Sequence, residues 1–150
     1  MKIYIASDHA GYEMKKLLYE YLKEKGHEVE DIGNKEHDPD DDYPDFIFPL
    51  AEKVAQDEGS IGIILGLSGN GEAIAANKVK GARAAVCLNK EMAQKARDHN
   101  HANILSLGAG FVDISAAKMI VDTFLATDFS REERHIRRVK KISSYESAKS

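Results

Sequence analysis

The stretch Ile61-Gly62-Ile63-Ile64-Leu65-Gly66-Leu67-Ser68-Gly69-Asn70-Gly71-Glu72 runs from an apolar segment through a glycine-rich turn into a helical pattern. Gly62 to Leu65 is continuously apolar rather than alternating, which is how a strand buried on both faces reads. Ile61 to Leu67 is far shorter than the roughly 18 residues a membrane span needs. Four further strands are expected at Ile3 to Ala6, Glu28 to Ile32, Ala84 to Leu88 and Ile104 to Leu107, with helical patterns between them. Met14, Leu17, Leu18, Tyr21 and Leu22 form one helical stripe that Gly26 stops. A second helix begins near Pro44, where Pro49 predicts a kink or a later start. Ala117, Ile120, Val121 and Phe124 mark the fifth helix, and Ile136 with Val139 a basic C-terminal helix from about residue 131.

Strands alternating with helices predict an α/β fold, and right-handed crossovers narrow it to a Rossmann-like, flavodoxin-like topology. The expectation is a doubly wound five-stranded parallel sheet with helices on both faces. In the strand order 2-1-3-4-5, strands 1 and 3 flank the topological switch point. Ser7-Asp8-His9-Ala10-Gly11 and the glycine loop then line one crevice at the carboxyl ends.

The 150 residues suit a single domain spanning 1–150, large enough to bury a core without disulfides or a structural metal. Cys87 is the one cysteine, has no bridging partner, and reads as packing on an apolar strand. A reducing compartment follows, with the cytoplasm as the default, and the chain opens without a signal-like apolar stretch. The formal charge of −4, from 21 basic and 25 acidic side chains, argues against nucleic acid as a partner. Arg131 to Lys141 nevertheless carries six basic residues, which leaves room for a local anion site. The acidic run Glu36 to Asp42 contains Pro39 and reads as a solvated turn, so no metal is expected.

Gly69 and Gly71 let backbone N–H groups point at one anion while the next helix presents its positive end. A tight turn is the plainer alternative. A dinucleotide fingerprint fits less well, because Ile74 replaces its third glycine, and the lysine of a P-loop is missing. Glu72, beside such a nest, can remove a proton whose conjugate base the nest stabilises; the alternative is a first-turn acid favoured by the helix dipole. Ser7 and Asp8 read either as site residues or as caps of the first helix. Arg134 and Arg138 share a helix face, with His135 beside them, as a phosphate clamp or a solvated basic face. His99-Asn100 precedes the fifth strand, at the sheet's amino end. His99 therefore cannot reach Glu72 in its own chain: it is either a surface histidine or a residue supplied to a second subunit.

Ser7-Asp8-His9-Ala10-Gly11, Asp42-Tyr43-Pro44-Asp45, Ser68-Gly69-Asn70-Gly71-Glu72, Ile74-Ala75-Ala76-Asn77-Lys78, His99-Asn100 and Arg134-His135 together resemble the family of ribose-5-phosphate isomerase B and the galactose-6-phosphate isomerases. The resemblance spans nearly the whole chain. It implies an aldose–ketose isomerase that uses no metal or cofactor, acts on a small sugar phosphate, and works as a homodimer or dimer of dimers with sites between subunits. In the similar enzymes the histidine matching His99 enters from the partner.

That family divides by its base, a cysteine at the position of Gly66 or a glutamate matching Glu72, and this chain is similar to the second group. The resemblance implies Glu72 as the base, with Ser68 and the amides of Gly69, Asn70 and Gly71 holding a cis-enediolate. It assigns Asp8 and His99 to ring opening, His9, Arg134 and Arg138 to the phosphate, and Tyr43 and Asn100 to the sugar. One departure stands out: Gly110 occupies a position where similar isomerases carry arginine. Ribose 5-phosphate is the first substrate to expect, with allose or galactose 6-phosphate second and a non-catalytic anion-binding module as the alternative of another class.

Overall fold

The computed structural model describes residues 1–149. Its elements are β1 (Lys2–Ser7), α1 (Tyr12–Glu24), β2 (Glu28–Gly33), α2 (Pro44–Gln56), β3 (Ile61–Gly66), α3 (Asn70–Ala76), β4 (Ala84–Val86), α4 (Lys90–Asp98), β5 (Ile104–Gly108), α5 (Ile114–Ala126) and α6 (Glu133–Lys149). All strand pairs are parallel and form one five-stranded sheet. None of the described helices is long and apolar enough to cross a membrane.

The period-two alternation of side chains sends each buried strand's residues into two separate cores. Ile3, Ile5, Ile63, Leu65, Leu105 and Leu107 meet residues of α1, α4 and α5, among them Leu18, Ala93 and Phe124. Tyr4, Ala6, Ile64 and Ile104 meet Ile47, Leu50, Ala51 and Val54 of α2 and Ala75 and Ala76 of α3. Gly62 lets α2 approach closely, since a Cβ there would lie 2.8 Å from Leu50 and 3.0 Å from Val54. The doubly wound sheet with helices on both faces is therefore as the sequence predicts.

The strand order is not. It is 2-1-3-5-4, with β5 between β3 and β4. β5 is buried along its whole length, whereas β4 is short and half-buried, so the apolar strand takes the interior and β4 the edge. The swap leaves β1 beside β3, so the crevice between them survives. β4 also ends at Val86 rather than Leu88, although the Cys87 N–H still donates to the Ser106 carbonyl at 3.2 Å. Burial pushes the Cys87 thiol up to about 11, consistent with a packing role. α2 begins at Pro44 and continues through Pro49, which lies on its exposed side. There the carbonyl left without an N–H partner can turn to water, so the proline neither delays nor ends the helix. α6 begins at Glu133, two residues later than expected.

Candidate active site

Three loops converge at the carboxyl end of the sheet. The first follows β1 and carries Asp8 and His9. Asp8 is 8% exposed, and its Oδ1 accepts from the N–H groups of Ala10 at 3.0 Å and Gly11 at 3.3 Å. It thus caps the turn into α1, as one of the two sequence readings held. Ser7 does not: its hydroxyl is buried and makes no hydrogen bond among the described residues.

The second loop links β3 to α3. Gly69 is the helix N-cap and has φ of +83°, a left-handed conformation that glycine adopts without steric cost. Its carbonyl accepts from the Ser106 hydroxyl at 2.7 Å, and the Asn70 N–H donates to Ser68 Oγ at 3.2 Å. Ser106, a lone polar residue inside the apolar run of β5, is a contributor that sequence reasoning missed. Gly71 lies against the Tyr43 ring, since a Cβ on Gly71 would be 2.6 Å from Tyr43 Cζ. Tyr43, at the N-cap of α2, therefore packs on this loop.

Glu72 is 4% exposed. Burial raises its carboxyl above the ordinary value of 4.5; the N–H groups of Glu72 itself and of Gly69 oppose the rise, and the negative charge of Asp8 adds to it. A third-position acid facing the N-cap amide is half of a capping box. Glu72 is thus the first-turn acid held by helix amides that one sequence reading expects, and its carboxyl is buried with a raised pKa.

The third loop holds Asp41, which the reading of Glu36 to Asp42 as a solvated turn misplaced. Glu36, Asp38, Asp40 and Asp42 are exposed, but the Asp41 side chain is 4% exposed. Its Oδ1 accepts from the His9 backbone N–H at 3.1 Å and lies 2.7 Å from His9 Nδ1. That hydrogen bond holds the His9 imidazole above its ordinary 6.5, favouring the cation. Burial alone would raise Asp41, but the hydrogen bonds from His9 and Asn34 bring it below the usual carboxylate value. Asp8, His9 and Asp41 place one ligand atom each within 4.8 Å of one another, a spacing that could hold a metal ion. The Oδ1 atoms of Asp8 and Asp41 already make hydrogen bonds, so the cluster is satisfied as a polar network.

The remaining predicted residues lie at the other end of the sheet. His99 is the C-cap of α4, immediately before β5, and its ring faces His135 with centroids 4.2 Å apart. His135 is buried, and Ser130 Oγ lies 2.7 Å from its Nδ1. It turns inward behind His99 instead of joining Arg134 and Arg138, which are exposed. His135 therefore packs against His99 and does not share the exposed face of Arg134 and Arg138. Asn100 is exposed and lines a concavity with Ala84, Ala85 and Ile142. β3 has six residues, so this group lies roughly 20 Å from Glu72. The chain brings together Asp8, His9, Tyr43, Ser68, Gly69, Asn70, Gly71 and Glu72, and separately His99, Asn100, Arg134 and Arg138.

A family profile described as Ribose/Galactose Isomerase matches residues 3–142. A ribose-5-phosphate isomerase B of Mycobacterium tuberculosis is 46% identical over 146 residues, 97% of this chain and 90% of that protein. Among solved structures, one from a study of Clostridium thermocellum ribose-5-phosphate isomerase B is 47% identical and covers both chains fully, with a TM-score of 0.95. The structure of the Mycoplasma genitalium ribose-5-phosphate isomerase B with bound ribulose-5-phosphate is 44% identical, covers 97% of this chain and 96% of its own, and has a TM-score of 0.94.

Proposed function

This chain belongs to the ribose/galactose isomerase family, and from that premise we propose that it interconverts ribose 5-phosphate and ribulose 5-phosphate through a cis-enediolate. The observation that carries the reading is Glu72: a buried carboxylate of raised basicity in the first turn of α3, held there by the N–H groups of Gly69 and of Glu72 itself. Asp8 and a partner's His99 assist ring opening. Glu72 then takes the C2 proton while negative charge builds on O1, held by Ser68 and the amides of Gly69 to Gly71. The same carboxyl returns the proton to C1, a proton passes from O2 to O1, and the C2 carbonyl forms. A positioned base is worth about 10²- to 10⁴-fold and one oxyanion donor about 10²- to 10³-fold, so a carbon acid needs both together.

The partner is required by distance. His99 lies at the sheet end opposite Glu72, and Asn100, Arg134 and Arg138 share that end, so all four enter a neighbour's crevice as a group. In this reading Arg134 and Arg138 join His9 on the phosphate, and Asn100 joins Tyr43 on the sugar. Exposed Ile142 and Tyr145, which share one side of α6, support a homodimer or a dimer of dimers, because a second copy would cover that apolar surface.

Gly110 favours one second reading. Without an arginine there the phosphate site is short of a charged donor, which suits a longer substrate such as allose or galactose 6-phosphate. The deciding experiment assays the purified protein on ribose 5-phosphate and on the six-carbon 6-phosphates, following both isomerisation and solvent deuterium entering the sugar at C2. Turnover with exchange on ribose 5-phosphate is expected. Failure on every sugar with intact phosphate binding identifies an anion-binding module instead.

A further inference from the structure

α1 buries a lysine. Lys15 shares a face with Leu18 and Leu22, and its side chain is 1% exposed. Its ammonium donates to Asp31 Oδ1 at 3.0 Å and to the Asn34 carbonyl oxygen. A buried ammonium is costly unless paired, and an apolar side chain of similar volume is often as stable or more so, so the charge calls for a task beyond packing.

The partners of Lys15 lead to the phosphate end of the crevice. The Asn34 N–H donates to the Ser7 carbonyl at 2.7 Å, which ties this turn to the end of β1. Asn34 Nδ2 donates to Asp41 Oδ2 at 3.3 Å, and Asp41 Oδ1 in turn holds the His9 backbone N–H and imidazole. One hydrogen-bonded path therefore runs from a buried lysine through Asn34 and Asp41 to His9, joining α1 to the loops that follow β2 and β1. We propose that Lys15 is a positioning residue for His9, holding Asn34 so that Asp41 keeps the imidazole aimed into the site. What His9 then binds rests on the isomerase reading; the path itself does not.

Several charges act on the two ends. His9 is raised by its hydrogen bond to Asp41 and by the charges of Asp8, Asp41 and Asp38, while burial opposes them, and the His37 ring stands edge-on at 6.5 Å. Lys15 is lowered by burial, supported by Asp31 and opposed by Lys35, with the Tyr12 ring 5.4 Å from its ammonium. Asp41 thus touches both His9 and the turn that Lys15 holds.

The test is Lys15→Met in the full chain, with the His9 imidazole titrated by NMR and inorganic phosphate used as the binding probe. The expected result is a His9 midpoint displaced toward 6.5, phosphate binding about 5- to 10-fold weaker, and a similar rise in KM for ribose 5-phosphate with kcat within about twofold. Asn34→Ala cuts the same path while leaving Lys15 on Asp31, so it should also move the His9 midpoint, and it decides the matter if the lysine variant does not fold. A His9 midpoint unchanged in the folded variants overturns the proposal, as does a shift in Lys15→Met without one in Asn34→Ala. If both variants move His9 but the native protein isomerises no sugar phosphate, the relay stands and the isomerase reading falls.

Discussion

The Glu72 carboxylate fills the volume that a side chain on Gly66 would need: a Cβ on Gly66 would lie 2.1 Å from Glu72 Oε2 and 2.2 Å from its carboxyl carbon. One point in the crevice can hold either a side chain from the end of β3 or the acid from the first turn of α3, but not both. A side chain at the place of Gly66 and the acid of Glu72 would by this geometry occupy the same location.

Gly66→Ala should therefore separate folding from catalysis. The atoms it meets are the far end of a flexible side chain, so the fold can yield at small cost, but the atoms displaced are those proposed to move the proton. Turnover is expected to fall at least about 10²-fold, the scale of a lost general base, with a near-native melting temperature. Turnover within a few-fold of the native protein would place the base elsewhere.

Glu72→Gln should abolish turnover and stabilise the protein at neutral pH. The folded carboxyl titrates above its ordinary 4.5, chiefly through burial, so folding favours the protonated acid. That contribution is fully present below the unfolded value and is lost as pH rises through the folded one. Native protein at pH 7 to 8 thus carries an ionisation cost that glutamine lacks. Melting scans should show the variant more stable than the native protein there, with the gap closing as pH falls toward 4.5. The acid limb of the native kcat profile should likewise lie above that value; a limb at or below it would contradict the assignment.

Two inactive variants should rescue one another if the sites are shared. Mixing Glu72→Gln with His99→Ala under conditions of subunit exchange creates dimers with one site carrying both defects and one carrying neither. Each mixed dimer should recover about half of native activity, whereas separately complete sites would recover none. Native mass spectrometry on the same samples, which separates the mixed dimer from both parents by mass, confirms that exchange has occurred.

Gly110→Arg tests the missing phosphate donor. A Cβ there meets Leu67 Cδ1 at 2.8 Å, the end of an exposed side chain, and the Leu67 carbonyl at 3.1 Å, so the loop must adjust only slightly. A charge-assisted hydrogen bond is worth about 1.5 to 3 kcal/mol, so KM for ribose 5-phosphate should fall by about 10-fold or more. An unchanged KM would mean that the substrate phosphate lies out of reach of this loop.

Sequence alone determined the parallel α/β architecture, the positions of its five strands and the division of the candidate residues between opposite sheet ends. All three follow from local information: unbroken apolar runs, helical stripes, and the rule that a loop entering a parallel strand lies opposite one leaving it. Tertiary structure alone decided the order of β4 and β5, because neighbours in a sheet are chosen by burial across the whole domain. It also decided the placement of Asp41, Lys15, Ser106 and His135. Composition marks those four as a solvated acid, a surface lysine, an isolated serine and part of a basic run; only packing from distant segments removes their water and supplies the partners that give them work.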